Sequence, residues 1–438
     1  SGSYYQSAHL NLFAASVCPS PVQNRALCAP AASLRAGFAV WGWLFSASNM
    51  ASQPDCDSLG RSPRLFTPGP LSTTASVKAA MQIDLGSRDP AFLSAVAEIC
   101  SELLALAQVH EPHYAAIPMQ GSGTFAVEAT LGSVVGQVGS LLILSNGAYG
   151  DRLAELARTL QIRHIVRRFA ETQPLDAAVL AEVKQKEPQL THLALVHCET
   201  STGQVNPLPA LCAAAQQAGL SVIVDAMSSF GAIPIPLGEL GIDFLVTSPN
   251  KCLQGVPGCG LVLARRAALP SGRAHSLSLD LSAQLAGLDK TGQFRFTPPT
   301  HVLLALRQAL RELSAEGGVA GRRARYQGNS DRLHQGMAAL GFRTLLPPSQ
   351  QSPIISAFYY PDDPRFDFPA FYQALSARRL VIYPGKVSSA ACFRIGTIGD
   401  LHPPDFTALL TAIAEVLAAQ GIAVPLALPT AATPENRP

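Results

Sequence analysis

Between Pro63 and Val424, short apolar runs rich in Val, Ile and Leu alternate with longer Ala- and Leu-rich stretches whose apolar residues recur at helical spacing. Residues 141–144, 193–196, 222–224, 244–246 and 260–263 are continuous apolar runs, the pattern of strands covered by helices on both faces. Helical spacing is carried by 152–160 and 208–218, the second starting after Pro207 and stopping at Gly219. The pattern predicts an α/β fold, a large domain over 63–300 with a mainly parallel sheet. A helical stretch over 302–313 and apolar runs at 354–360 and 393–395 predict a smaller C-terminal α+β domain over 301–424.

The two ends read differently. The first 49 residues hold no Asp or Glu but carry Arg25 and Arg35, and the apolar run at 37–45 is too short to span a bilayer. Residues 1–62 read as an extension outside the functional fold; the lack of acids also fits an organelle transit peptide, the weaker reading beside a cytoplasmic protein. Residues 425–438, rich in Pro, Ala and Thr, read as a tail.

In 438 residues, 48% are hydrophobic and 14% charged, which suits a large interior with apolar surface left for a homo-oligomer interface. A net charge of +2 with mixed signs gives no basic field for nucleic acid and no polyanionic tail, and neither nucleic acid nor a membrane is expected as a partner. The nine cysteines show no CxxC spacing, so neither a metal site nor a disulfide framework is expected, and a reducing compartment fits.

Asp225 ends one apolar run and Lys251 lies just past the end of the next. By itself the pair also fits an ordinary strand acid and a surface lysine. It equally suits pyridoxal phosphate, where the acid keeps the pyridine nitrogen protonated and the lysine forms the Schiff base. Upstream, Gly121-Ser122-Gly123-Thr124 is a glycine turn entering a helical stretch; free N–H groups and two hydroxyls there make a phosphate cradle, or simply a tight turn. Tyr149, in Asn146-Gly147-Ala148-Tyr149-Gly150, could stack on a planar ring or pack in the core. His197-Cys198-Glu199-Thr200-Ser201-Thr202-Gly203 also follows a strand, and no second ligand gives His197 a metal role. Apart from the glycine turn at 121–124, these motifs fall at predicted strand ends, where open α/β sheets bind ligands.

The chain resembles the fold-type-I pyridoxal phosphate aminotransferases of class V, and within them the 2-aminoethylphosphonate–pyruvate transaminase family, from about residue 65 to 418. Phe66-Thr67-Pro68-Gly69-Pro70-Leu71, Asp225-Ala226-Met227-Ser228-Ser229-Phe230-Gly231, Asn250-Lys251-Cys252-Leu253-Gln254-Gly255 and Phe296-Thr297-Pro298-Pro299-Thr300 carry the resemblance. It implies Lys251 as Schiff-base lysine, Asp225 as partner of the ring nitrogen, and Tyr149 as stacking ring. Ser122, Gly123, Thr124 and Ser248 would bind the cofactor phosphate, Thr202 the ring oxygen, and Thr300 the phosphate of a neighbouring subunit in a homodimer with shared sites. Arg394 would grip the substrate's acidic group. Where the family often has a Trp-Asp-Asp-Asp-Tyr type segment, this chain has Asp84-Leu85-Gly86-Ser87-Arg88-Asp89-Pro90, so Arg88 is a further candidate for the phosphonate.

The resemblance implies amino transfer from 2-aminoethylphosphonate to pyruvate, giving phosphonoacetaldehyde and L-alanine. The donor has no α-carboxylate, so proton loss rather than decarboxylation must be the bond cleaved. An alanine–glyoxylate or serine–pyruvate type aminotransferase is the nearest alternative. A non-catalytic regulator or scaffold of the same fold is the alternative of another class.

Overall fold

The structure, a computed structural model, describes residues 62–136, 139–270, 274–387 and 390–426. The expected N-terminal extension and the tail therefore lie almost wholly outside the described residues. The chain enters through β1 (Arg64–Leu65), α1 (Ala75–Ala80) and α2 (Pro90–Leu106). Strands and helices then alternate: β2 (Tyr114–Gln120), α3 (Gly123–Val134), β3 (Ser140–Ser145), α4 (Ala148–Thr159), β4 (Arg163–Arg168), α5 (Val179–Lys186) and β5 (His192–Val196). A hairpin of β6 (Cys198–Glu199) and β7 (Gln204–Val205) precedes α6 (Leu208–Gln217), β8 (Ser221–Asp225), α7 (Leu237–Leu240), β9 (Phe244–Thr247) and β10 (Cys259–Arg265). After α8 (Leu281–Thr291), α9 (Thr300–Ala315) and α10 (Gly318–Ala339) come β11 (Ile355–Tyr359), α11 (Phe368–Ala377), β12 (Leu380–Val381), β13 (Tyr383–Pro384), β14 (Cys392–Gly396) and α12 (Pro403–Ala419).

Seven strands form the central sheet in the order β2-β10-β9-β8-β5-β3-β4, with β10 antiparallel to both its neighbours and the rest parallel. Period-two alternation explains why its inner strands read as unbroken apolar runs. Leu142, Leu144, Leu193, Leu195, Val222 and Val224 fill the core on one face, and Leu141, Ile143, Ala194, Val196 and Ile223 fill the core on the other. The edge strands were not legible as strands. On β4, Arg163, Arg167 and Arg168 point to solvent, and β2 carries Pro118, which an edge strand tolerates because one of its sides needs no donor.

A three-stranded antiparallel sheet, β11-β14-β13, forms the smaller body. Its core gathers Phe358, Phe371, Phe393, Ile395 and Phe406. Arg394 lies between Phe393 and Ile395 on the central strand, so alternation turns it to the opposite face. The two cores do not divide at residue 300. Helix α9 contributes Leu303, Leu306, Leu310 and Leu313 to the core of the large sheet, while β1 pairs with β12 and Phe66 packs in the smaller core.

Candidate active site

The parallel strands end on one edge of the sheet, and the loops leaving β2, β3, β5, β8 and β9 meet there around a cavity of about 210 Å³. Ser122, Gly123, Thr124, Tyr149, Asp225, Ser248 and Lys251 all line it. Seven residues predicted from four separate segments are thus brought together by strand order alone, as ligand sites of open α/β sheets require.

Asp225 is the last residue of β8 and is buried, with one carboxylate oxygen accepting from the Met227 N–H at 3.0 Å. Burial pushes its pKa up to about 6, helped by the neighbouring Glu199 charge and opposed by the Met227 bond and by Lys251. A desolvated carboxylate with one hydrogen bond is stabilised by a cation placed against it. Lys251 donates from Nζ to the Pro68 carbonyl at 2.8 Å. Burial is the main cause that lowers its pKa to about 8, with Asp225 opposing and Arg394 and Arg152 reinforcing. That carbonyl can come so close because the next residue is glycine: Gly69 has φ +121, and a Cβ there would lie 2.6 Å from Lys251 Cδ.

A lysine ionising near 8 rather than 10.5 is a free amine about 300 times more often at pH 7. The sign follows from burial: the charged form is disfavoured, so the neutral amine gains as pH rises and levels off above about 8. Uptake of pyridoxal phosphate by cofactor-free protein, followed by absorbance, is therefore expected to accelerate about tenfold between pH 6 and 7 and to flatten above about 8. A rate still climbing steeply at pH 10 would contradict a depressed amine.

Helix α3 starts with Ser122 as its N-cap residue, yet the Ser122 hydroxyl does not cap it. Its first-turn N–H groups, the Ser122 and Thr124 hydroxyls and buried Ser248 surround one end of the cavity. This is an anion cradle without a cationic side chain. Donor set, acid and amine together fit a group carrying a phosphate, a basic ring nitrogen and an aldehyde.

Tyr149 stands half-buried in the first turn of α4. Glu199 fixes that turn. It is fully buried and accepts from the N–H groups of Tyr149 (3.1 Å) and Gly150 (3.3 Å) and from the Ser201 N–H (3.2 Å) and hydroxyl (2.6 Å). Burial raises its pKa and these four donors oppose the rise. The N-cap position of α4 is Gly147, which has no side chain to offer, so the acid comes from another loop. Sequence reading gave Glu199 no role; a glycine at a helix start and an acid just past a buried strand were the available signal.

The remaining predicted residues fall elsewhere. Thr202 is fully buried and uses its hydroxyl within its own turn, accepting from Gln204 N–H at 3.2 Å and donating to the Glu199 carbonyl at 3.4 Å. It is not brought to the cavity. Thr300 begins α9 and Arg88 is exposed just before α2, neither lining this chain's cavity. His301 and Asp84, 2.9 Å apart, join their two segments. Arg394 is buried, donating from Nε to the Pro384 carbonyl (2.9 Å) and from Nη1 to the Thr200 carbonyl (2.7 Å). Burial lowers its pKa. His197 is buried beside Ser229 (Nδ1 to Oγ 2.9 Å), and burial lowers its pKa to about 4, keeping it neutral. Arg152 was missed. It lines the cavity three residues after Tyr149, one turn along the same helix face.

A buried lysine and acid in one cleft, with an anion cradle at a helix start, define an enzyme that works through pyridoxal phosphate. The chain belongs to the class-V aminotransferases: the profile described as "Aminotransferase class-V" matches residues 125–365. It is similar to the 2-aminoethylphosphonate–pyruvate transaminase of Aeromonas hydrophila subsp. hydrophila, with 52% identity over 363 residues, 82% of this chain and 96% of that protein. The protein of the same name from Klebsiella pneumoniae subsp. pneumoniae is 50% identical, covering 80% of this chain and 96% of its own. Among solved structures, the alanine–glyoxylate aminotransferase of Nostoc sp. aligns with a TM-score of 0.75 at 27% identity, over 82% of this chain and 96% of that one.

Proposed function

We infer that the chain moves the amino group of 2-aminoethylphosphonate to pyruvate, giving phosphonoacetaldehyde and L-alanine. Its resemblance to transaminases of that name over nearly their whole length supports the reading. In the molecule, the acidic end that both substrates share is supported by Arg394, a buried guanidinium that joins no ion pair among the described residues and is close enough to Lys251 to depress its pKa. Such a group is stabilised by an incoming substrate acid.

Pyridoxal phosphate supplies an aldehyde for amine exchange and a ring that withdraws electrons. Asp225 would hold the ring nitrogen protonated, the α3 start with Ser122, Gly123, Thr124 and Ser248 would hold the phosphate, and Tyr149 would stack on the ring. Lys251 Nζ would move the proton at the substrate carbon. Arg394 orients either substrate by its acidic end.

The assembly is a homodimer with shared sites. Exposed Ile83, Phe125, Leu277 and Phe296 support this, since they flank the segments that bear Arg88, the α3 start and Thr300. Thr300 and Arg88 then serve the neighbouring subunit's pocket. All the described cysteines are free thiols, which suits the cytoplasm. The reading is tested by product analysis with 2-aminoethylphosphonate and pyruvate. Phosphonoacetaldehyde and L-alanine in equal amounts are expected, and a preference for L-serine or L-alanine as donor with glyoxylate as acceptor would overturn it.

A further inference from the structure

Three cations converge beside Tyr149. Lys386 Nζ lies 4.4 Å from the centre of its ring and Arg152 Cζ 5.1 Å from the same ring. Arg394, on β14, lies with its Cζ 5.0 Å from the centre of the Tyr383 ring and close enough to act on both Lys386 and Tyr149. Lys386 sits on the loop leaving β13, two residues after Pro384, whose carbonyl binds Arg394 Nε. The loop is drawn tight against β14 because position 385 is glycine: a Cβ there would lie within 3.0 Å of the backbone of Cys392. This turn delivers Lys386 to the side of Arg394.

The charges are unbalanced. Burial is the first cause that lowers the pKa of Lys386, followed by repulsion from Arg152 and Arg394, with only Glu199 opposing. Glu199 is already occupied by four donors of its own loops. Among the described residues neither Lys386, Arg152 nor Arg394 joins an ion pair with a carboxylate. A carboxylate substrate carries one charge, which one arginine can match. A phosphonate, like a phosphate monoester, carries nearly two near neutral pH. The cofactor's phosphate is provided for at the α3 start, and Lys386 does not line that cavity.

We propose that Lys386 is the specificity-determining residue of the substrate site, pairing with the second negative charge of a phosphonate that Arg394 alone would not distinguish from a carboxylate. This rests on the reading of the donor as 2-aminoethylphosphonate. Arg152 adds to the field, and Lys386 supplies the discriminating contact.

The test compares the purified full chain with Lys386→Gln and Lys386→Arg. For Lys386→Gln, kcat/KM with 2-aminoethylphosphonate is expected to fall about 10- to 100-fold, mainly through KM, as loss of one charge-assisted contact implies. With L-alanine, which presents only a carboxylate, it should change less than about threefold. Lys386→Arg should recover most of the loss. Inhibition by ethylphosphonate should weaken in step in Lys386→Gln while inhibition by propanoate holds. Equal losses for both substrates, or for neither, would overturn the proposal. If the unaltered protein ignores 2-aminoethylphosphonate, the donor reading fails instead, and the ethylphosphonate and propanoate comparison on the donor it does use still decides the role of Lys386.

Discussion

Lys251→Ala is expected to lower steady-state transamination by at least about 10⁴-fold, equivalent to about 5.5 kcal/mol of transition-state stabilisation. Among the described residues, Lys251 is the sole lysine lining the cavity. Its surroundings are arranged to keep the amine neutral and aimed: burial depresses its pKa to about 8, and the Pro68 carbonyl holds Nζ at 2.8 Å. Alanine removes both the covalent anchor and the base that moves the proton. Lys386, whose Nζ sits over the Tyr149 ring and which does not line the cavity, is not expected to substitute, because a proton carrier must lie within hydrogen-bond reach of the carbon it serves. Borohydride reduction followed by peptide mass analysis gives a second readout. The peptide containing Lys251 should carry the cofactor in the unaltered protein, and no peptide should carry it in the variant. Appreciable turnover in Lys251→Ala, or labelling at another lysine, would sink the assignment.

Asp225→Asn is expected to cost about 10²- to 10⁴-fold in kcat/KM, the equivalent of the 3–5 kcal/mol that follows removal of one partner of a buried charge pair. The substitution keeps shape and the bond to Met227 N–H but removes the charge. In the cofactor-free protein the buried carboxylate is raised to about 6, so it gains from a cation beside it, and a protonated ring nitrogen is such a cation. By reciprocity, the carboxylate is what keeps that nitrogen protonated. The loss should appear mostly in kcat, since the residue touches no part of the substrate, and cofactor affinity should fall as well. Activity within threefold of the unaltered protein would place Asp225 away from the ring.

The interior of the sheet was legible because β3, β5, β8 and β9 are buried on both faces and have no polar residue to interrupt them. The edges were not: β4 looks like a basic loop and β2 hides behind Pro118. The cavity lining was legible where chemistry sits at a strand end or within four residues of it, as for Asp225, Ser248 and Lys251. It was lost where a side chain acts through space from a helix or another body. Arg152 needed the helical offset from Tyr149, Glu199 needed the contact between two loops, and Lys386 needed the fold of the smaller body onto the larger. Thr202 uses its hydroxyl within its own turn, a local bond that the motif alone does not show. Chain order likewise does not show that α9, after residue 300, completes the core of the large sheet, or that β1 pairs with β12 of the smaller body.

The most direct test is a half-reaction. Purified protein loaded with pyridoxal phosphate is mixed with 2-aminoethylphosphonate and no acceptor, and the cofactor's absorbance is followed. Conversion to the pyridoxamine form at a rate well above that with L-serine, reversed on adding pyruvate, is expected. No conversion with 2-aminoethylphosphonate while L-serine or L-alanine converts the cofactor fully would contradict the account.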